Sequence, residues 1–133
     1  MSKRTAACAC GQLTAVVDGD PVRVSVCHCL ACQRRTGSVL GAQARFAKQN
    51  VATTGQSTRY VRVADSGKTV TFHFCPHCGS TVYYVLEGHE AMFAIPVGAF
   101  ADPHFPPPTR SVYEQRMHSW VRVPADIEHL GFG

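Results

Sequence analysis

Hydrophobic and polar residues alternate with a period of two along most of the chain, a pattern that predicts β-strands. Val22, Val24 and Val26 alternate in this way just before Cys27. Further strand candidates are short runs rich in β-branched and aromatic residues: SVLGAQARF, STRYVRV, KTVTFHF, STVYYVL, AMFAIPV, SVYEQRM and WVRV. Turn signals such as ADSG and LEGH separate these runs. Many short strands at this spacing predict an all-β domain.

Helical patterns are few. The segment LACQRR after Cys29 predicts one short helix, and the tail PADIEHLG predicts a single terminal turn. Residues 101–108 carry four of the eight prolines and predict a rigid extended loop. Helices are therefore expected to be minor parts of the fold.

Composition describes an ordinary globular chain. Of 133 residues, 45% are hydrophobic and 17% are charged, which excludes a disordered tail and a disulfide-packed miniprotein. The length predicts a single domain over residues 1–133. The net charge of +4 comes without a dense basic run, so we do not expect nucleic acid as a partner.

The expected cellular location determines how the cysteines are interpreted. The start MSKRTAACACGQ has no apolar core behind its basic residues, and no apolar run approaches the ~20 residues of a membrane span. We therefore expect a cytoplasmic protein without membrane partners. Seven cysteines cannot all pair, and clustered cysteines in a reducing compartment are more often metal ligands or catalysts.

The segment FCPHCGST places Cys75 and Cys78 at a Cys-x-x-Cys spacing. Pro76 fixes one dihedral angle of the turn between the two cysteines, and Gly79 permits a positive φ directly after it. This arrangement is typical of a zinc knuckle. A redox motif is the alternative, but that motif requires a helix after the first cysteine, and GSTVYYVL has the pattern of a strand.

Two further cysteines are needed to close the knuckle. Cys8 and Cys10 form a Cys-x-Cys pair, and residues two apart on a strand point to the same face. The predicted site contains Cys8, Cys10 and the two knuckle cysteines, and Gly11 then relieves crowding beside the metal. Cys27 and Cys29 form a second Cys-x-Cys pair and are the alternative partners. We prefer the first partition because it accounts for all seven cysteines.

The remaining cysteines, Cys27, Cys29 and Cys32, form a thiol triad within six positions. If Cys27 and Cys29 share one strand face, opposite to the preceding valines, and Cys32 follows after a tight turn, three sulfurs converge. A tetrahedral zinc ion would keep its fourth corner vacant, as catalytic zinc sites do. A soft zinc–thiolate centre suits a further thiolate in that corner and would hold it deprotonated.

The histidines and the thiols leave two alternatives to the open triad. His28 would point away from its neighbouring cysteines on a strand, so we expect it to be packed or solvated. A distant histidine, such as His73, His77 or His118, is an alternative fourth ligand that would make the site structural. A reversible zinc or redox sensor would use the same three thiols.

The order of the cysteine motifs resembles the glutathione-dependent formaldehyde-activating enzyme family, which also contains centromere protein V. The resemblance continues through TGS after the triad and into SVYEQRMHSWVRV, where Tyr113, Arg116 and Trp120 fit, and it covers residues 5–123. It implies an all-β "β-tent" of stacked antiparallel sheets with two zinc ions. The implied ligands are, for structural zinc, Cys8, Cys10, Cys75 and Cys78, and, for catalytic zinc, Cys27, Cys29 and Cys32.

The resemblance implies addition of the glutathione thiol to formaldehyde, which is a carbon–sulfur lyase reaction in reverse. The expected partners are a small thiol and a small aldehyde. Thr36 or Ser38 is then a candidate donor to the developing alkoxide. Arg34 or Arg35 is a candidate for binding the carboxylates of glutathione.

The rival interpretation is a non-catalytic binding module for a protein or chromatin partner. Such a module needs the four-cysteine site for stability and has no use for the triad, so the presence of the triad favours the enzyme. Elemental zinc content with and without the triad would separate the two.

Overall fold

The structure is a computed structural model that describes residues 2–133. Within that range the chain forms eleven strands, one α-helix and three short 3₁₀ segments. The strands are β1 (Lys3–Ala7), β2 (Thr14–Asp18), β3 (Arg23–Cys27), β4 (Gly41–Ala47), β5 (Val51–Thr54), β6 (Thr58–Val63), β7 (Thr69–Phe74), β8 (Thr81–Leu86), β9 (Met92–Pro96), β10 (Arg110–Val112) and β11 (Glu128–His129). The helix α1 spans Leu30–Thr36, and the 3₁₀ segments span Lys48–Asn50, Val97–Phe100 and Glu114–Arg116. The predicted all-β class with stacked sheets is confirmed, in a chain that is mostly β and contains one short helix.

The first of two compact units comprises residues up to 22 and residues 44–105. It contains an antiparallel three-stranded sheet in the order β1-β2-β5 and an antiparallel meander in the order β9-β8-β7-β6. β-Branched and aromatic residues fill these strands because they pack well on a pleated surface. The buried side chains of this unit include Leu13, Val17, Phe46, Val82 and Ile95.

The second unit comprises residues 23–43 and 106–133, and it contains β3, α1, β10 and β11. Here β10 lies between β3 and β11 and is parallel to both, which departs from the antiparallel pairing expected throughout. Ser25 and Ser111 are buried in this unit together with the valines of β3 and β10. The buried Gln43 amide donates a 2.9 Å hydrogen bond to Ser25 Oγ, which satisfies one polar group of this core.

The helix α1 is short and is held by both of its ends. Cys29 is its N-cap, and the Cys29 sulfur accepts a hydrogen bond from the Cys32 backbone N–H. At the other end Gly37 adopts a left-handed conformation with φ of 72°, and its N–H donates to the carbonyl of Gln33. The short helix predicted from LACQRR is therefore confirmed.

Several local predictions differ from the structure. Val22 lies outside β3 and is 67% exposed, whereas all four residues 24–27 are buried, so the valine alternation does not separate a buried face from a solvated one. The run WVRV contains no strand, because residues 118–121 form a turn closed by the Val121 N–H and the His118 carbonyl. The tail contributes strand β11 where a helical turn was predicted.

No helix within residues 2–133 combines the length and the apolarity that crossing a membrane requires. The expectation of a single domain over residues 1–133 stays a prediction.

Candidate metal centres

The cysteines of residues 2–133 gather into two clusters, and in each the sulfur atoms lie within 4.8 Å of one another. The four-thiol cluster lies in the first unit, and the thiol triad lies in the second. The members of the four-thiol cluster are Cys8, Cys10, Cys75 and Cys78, and those of the triad are Cys27, Cys29 and Cys32. None of the seven forms a disulfide. Their arrangement matches the partition that accounts for all seven cysteines.

Cys8 and Cys10 lie in the turn that joins β1 to β2. The strand β1 ends at Ala7, so the predicted placement of both cysteines on a strand face is wrong. Instead, the Cys8 N–H donates to the Leu13 carbonyl and the Gly11 N–H donates to the Cys8 carbonyl, each at 3.0 Å. Gly11 has a φ of 85°, which a side chain would disfavour. The turn itself brings the two sulfurs together.

Cys75 and Cys78 lie in the tight turn between β7 and β8. The Gly79 N–H donates to the Cys75 carbonyl at 2.8 Å, and the Cys75 N–H donates to the Ser80 carbonyl at 3.0 Å. Gly79 has a φ of 82°, as expected for the residue that leaves the turn. The strand β8 follows at once, and this excludes the helix that a redox motif requires.

The sulfur separations of the four-thiol cluster suit a tetrahedral metal. Cys10 Sγ lies 3.6 Å from both Cys8 Sγ and Cys75 Sγ. With zinc–sulfur bonds of about 2.3 Å, the edge of a regular tetrahedron measures about 3.8 Å, so these thiols fit zinc with little movement. Cys75 Sγ also accepts hydrogen bonds from Gln12 Nε2 at 3.0 Å and from the His77 N–H at 3.3 Å, which favours a thiolate.

The pKa values of this cluster diverge. The Ser80 backbone N–H lowers the pKa of Cys78 to about 5. The Gln12 backbone lowers the pKa of Cys10, but hydrogen bonds with the thiols of Cys8 and Cys75 outweigh this and raise it to about 11. Sulfurs this close repel one another when they all ionise, so one takes the charge and another keeps its proton. A divalent cation would remove that conflict.

The triad is assembled by the end of β3 and the first turn of α1. Cys27 is the last residue of β3 and is buried, whereas Cys29 and Cys32 are half-buried. The prediction that Cys27 and Cys29 share a strand face is wrong, because the strand ends before Cys29. Cys29 caps the helix, and its sulfur accepts the Cys32 N–H at 3.3 Å. The hydrogen bond between the thiols of Cys27 and Cys29 raises the pKa of Cys27 far above its ordinary value.

No further histidine, cysteine or carboxylate of residues 2–133 joins the three sulfurs of the triad. His118 Nε2 instead lies 2.9 Å from Gln33 Oε1. His73 belongs to the first unit, where its ring stacks on Tyr83. His77 lies within the knuckle turn of the four-thiol cluster. The fourth corner of a metal at the triad would therefore have no ligand from these side chains.

His28 is fully buried, which agrees with its expected packing role, and it anchors the backbone between the first two triad cysteines. His28 Nε2 lies 2.9 Å from Ser111 Oγ, and the His28 N–H donates to the Val112 carbonyl at 3.1 Å. Burial lowers the pKa of His28, which keeps the ring neutral.

Gln33 links the triad helix to the C-terminal segment, a role that the sequence did not predict. Its Nε2 donates to the carbonyls of His28 at 2.9 Å and Arg116 at 3.2 Å, while its Oε1 faces His118. Its position directly after Cys32 was the one available signal. The contact between His28 and Ser111 had no signal, because the parallel pairing of β10 with β3 is not encoded in local sequence.

The polar residues after the triad that were expected to contact substrate are Thr36 and Ser38, as donors, and Arg34 and Arg35, as cations. Thr36 Oγ1 donates to the Cys32 carbonyl at 2.9 Å and accepts the Ser38 N–H at 3.0 Å, so its hydroxyl serves the helix end. Arg34 is exposed and Arg35 is half-buried. Trp120 is 67% exposed, with its ring edge-on to His118 at 6.1 Å.

A family model described as glutathione-dependent formaldehyde-activating enzyme matches residues 3–118. Among solved structures, the chain is similar to a crystal structure of a Rhodobacter sphaeroides protein from a structural genomics project. The two share 18% identity with a TM-score of 0.59, over 74% of this chain and 91% of the other. That likeness concerns the fold alone. No curated protein matches the chain.

Proposed function

The chain belongs to the glutathione-dependent formaldehyde-activating enzyme family, and from this membership we propose that it joins a small thiol to a small aldehyde, or separates the two. Glutathione and formaldehyde are the first pair to test. The observation that carries the proposal is the thiol triad, whose three sulfurs lie within 4.8 Å of one another with no fourth ligand among the side chains of residues 2–133.

We propose different roles for the two clusters. The four-thiol cluster supplies a complete ligand set and therefore suits a structural zinc ion. The triad supplies three ligands and suits a catalytic one. A zinc ion bound there would supply Lewis acidity that favours the deprotonated form of an incoming thiol at neutral pH.

The protein contributes geometry to this chemistry. Cys27 is held in the core at the end of β3, and Cys29 is fixed as the cap of α1, so neither sulfur must reorganise when a substrate arrives. The buried His28 and its bond to Ser111 hold the backbone between them. Cys29 and Cys32 are half-buried, so the triad is reachable from solvent.

The proposed reaction conserves atoms and electrons. The substrate sulfur forms a bond to the carbonyl carbon, and the carbonyl π electrons move to oxygen. The proton that leaves the thiol ends on that oxygen, giving an S-(hydroxymethyl) thioether from formaldehyde. The reverse reaction breaks the carbon–sulfur bond and returns the proton to sulfur.

The test is zinc content followed by turnover, for the parent chain, Cys29→Ser and Cys78→Ser. We expect about two zinc ions in the parent and about one in each variant, because each substitution opens one cluster. Turnover of a thiol–aldehyde pair should disappear in Cys29→Ser. Equal zinc in the parent and Cys29→Ser, or unchanged turnover, would contradict the proposal and favour the binding module.

A further inference from the structure

The strand β6 is a sheet edge that carries apolar side chains. It pairs with β7 over its whole length, and among residues 2–133 no strand lies on its other side. Three of the seven exposed large hydrophobic residues of that range lie on β6, namely Tyr60 at 58%, Val61 at 54% and Val63 at 67% exposure. Such an edge presents unpaired backbone N–H and C=O groups beside apolar surface, so it can accept a further strand.

Features that normally keep an edge strand unpaired are scarce on β6. It contains no proline and no lysine, and its pairing with β7 shows no bulge. The Arg62 guanidinium lies 5.8 Å from the ring centroid of Phe72, above β7 and away from the free edge. The edge strand β5 is shorter and ends in two threonines. The fold therefore leaves β6 as an edge that is open to pairing.

Symmetry limits how β6 could pair with the same strand of a second copy. Side chains that face each other in an antiparallel pair lie on the same side of the sheet, so a two-fold axis requires one residue to face its own copy. Arg59 and Arg62 are excluded as centres, because two guanidinium groups would face each other directly. A centre at Tyr60 would place Arg59 diagonal to its own copy, which is also repulsive.

A centre at Val61 gives complementary charges instead. The facing pairs are then Val61 with its own copy, Tyr60 with Arg62, and Arg59 with Val63. The diagonal neighbour of Arg59 is Asp65, which is exposed in the turn after β6. Diagonal positions lie about 7–8 Å apart, a distance that an arginine side chain spans. Two ion pairs between Arg59 and Asp65 would therefore form in each dimer.

We propose that β6 pairs antiparallel with β6 of a second copy, about a two-fold axis at Val61. The pairing covers the exposed apolar residues of both strands, and it uses both β6 edges, so the assembly stops at a dimer. One strand pair is smaller than a standard interface, so we expect a dissociation constant of roughly 10–100 µM. The proposal does not depend on the thiol chemistry proposed above.

Sedimentation equilibrium of the full zinc-loaded chain, under a reductant that excludes disulfide cross-links, measures the dissociation constant of the dimer. Val61→Lys places two ammonium groups opposite each other at the axis. Val22→Lys is the matched control, because it makes the same substitution at a valine that is 67% exposed and outside every strand. Arg59→Glu, Asp65→Lys and the double exchange test the register. Zinc content and thermal unfolding establish that each variant is folded.

We expect Val61→Lys to raise the dissociation constant at least about tenfold and Val22→Lys to leave it unchanged. Arg59→Glu and Asp65→Lys should each weaken the dimer roughly five- to tenfold, because like charges then meet, and the double exchange should restore it. Hydrogen exchange provides a second measurement. The β6 amides should gain protection as the parent dimerises and should not gain it in Val61→Lys.

Three results would overturn the proposal. A parent that stays monomeric up to about 1 mM would exclude self-pairing and leave the edge for a strand of a different protein. A dimer that tolerates Val61→Lys, or that Val22→Lys weakens equally, would use another surface. A double exchange that stays as weak as its single variants would refute the register centred on Val61.

Discussion

Replacing Cys75 by serine should destabilise the protein more than replacing Cys29 by serine. Cys75 is fully buried, and its sulfur lies 3.6 Å from Cys10 Sγ across 65 positions of sequence. A metal held by the four-thiol cluster therefore closes a long loop. The triad closes only the short loop of residues 27–32.

The difference follows from loop-closure entropy. A cross-link that closes a loop of this length restricts the unfolded chain by about 4 kcal/mol, whereas one that closes about six residues contributes about 2 kcal/mol. The free energy of unfolding of a domain is typically about 5–15 kcal/mol, so the larger loss is roughly a quarter to four-fifths of the total. We expect Cys75→Ser to lose at least about 2 kcal/mol more than Cys29→Ser.

Urea unfolding of the zinc-replete parent and both variants measures this difference, and a second series in strong chelator provides the control. Chelation should remove the difference between the variants, because the cross-links then no longer exist. Equal losses in the zinc-replete series would refute the reasoning. A difference that persists in chelator would show that packing at Cys75, and not metal, carries the effect.

Three further perturbations test the framework around the triad. Gln33→Ala should lower the free energy of unfolding by about 1–2 kcal/mol in urea, because it removes two hydrogen bonds to backbone carbonyls. Ser111→Ala should cost about 1–3 kcal/mol by the same assay, because it leaves the buried His28 Nε2 without its partner, and Ser111→Thr should restore part of the loss. The Glu114 carboxylate raises the pKa of His129 by hydrogen bonding, so this stabilisation is complete below the ordinary histidine pKa and is lost as pH rises through the folded value. The free energy of unfolding, measured between pH 5.5 and pH 9, should show that decline in the parent and not in Glu114→Gln. The same pH dependence in both proteins would contradict the assignment.

Sequence predicted the elements that local pattern controls. The strands β6, β7 and β8 coincide with the runs STRYVRV, KTVTFHF and STVYYVL, because each run and its turns contain their own signal. The resemblance and cysteine spacing also gave the partition into two clusters. Spacing grouped the cysteines that one short turn can bring together, but it did not decide which Cys-x-Cys pair joins Cys75 and Cys78.

Sequence failed where long-range contacts decide the local structure. The segment around Cys10 was expected on a strand and forms a turn, since β1 and β2 pair directly and need a connection. The proximity of Arg35 to Gly41 could not be predicted, because it arises only where α1 packs against the start of β4. The burial of Ser111 depends on pairing between positions 111 and 26, which no local pattern reports.

The second unit is discontinuous in sequence, and this has a consequence for synthesis. Residues of the first unit are complete once position 105 has left the ribosome, whereas β10, the partner of β3, comes later. At about 5–20 residues per second, roughly 4–16 s separate the emergence of Cys32 from that of β10. During this interval β3 lacks one of its two neighbouring strands. The three triad thiols therefore emerge before the second unit can fold around them, and early metal binding would also protect them from oxidation.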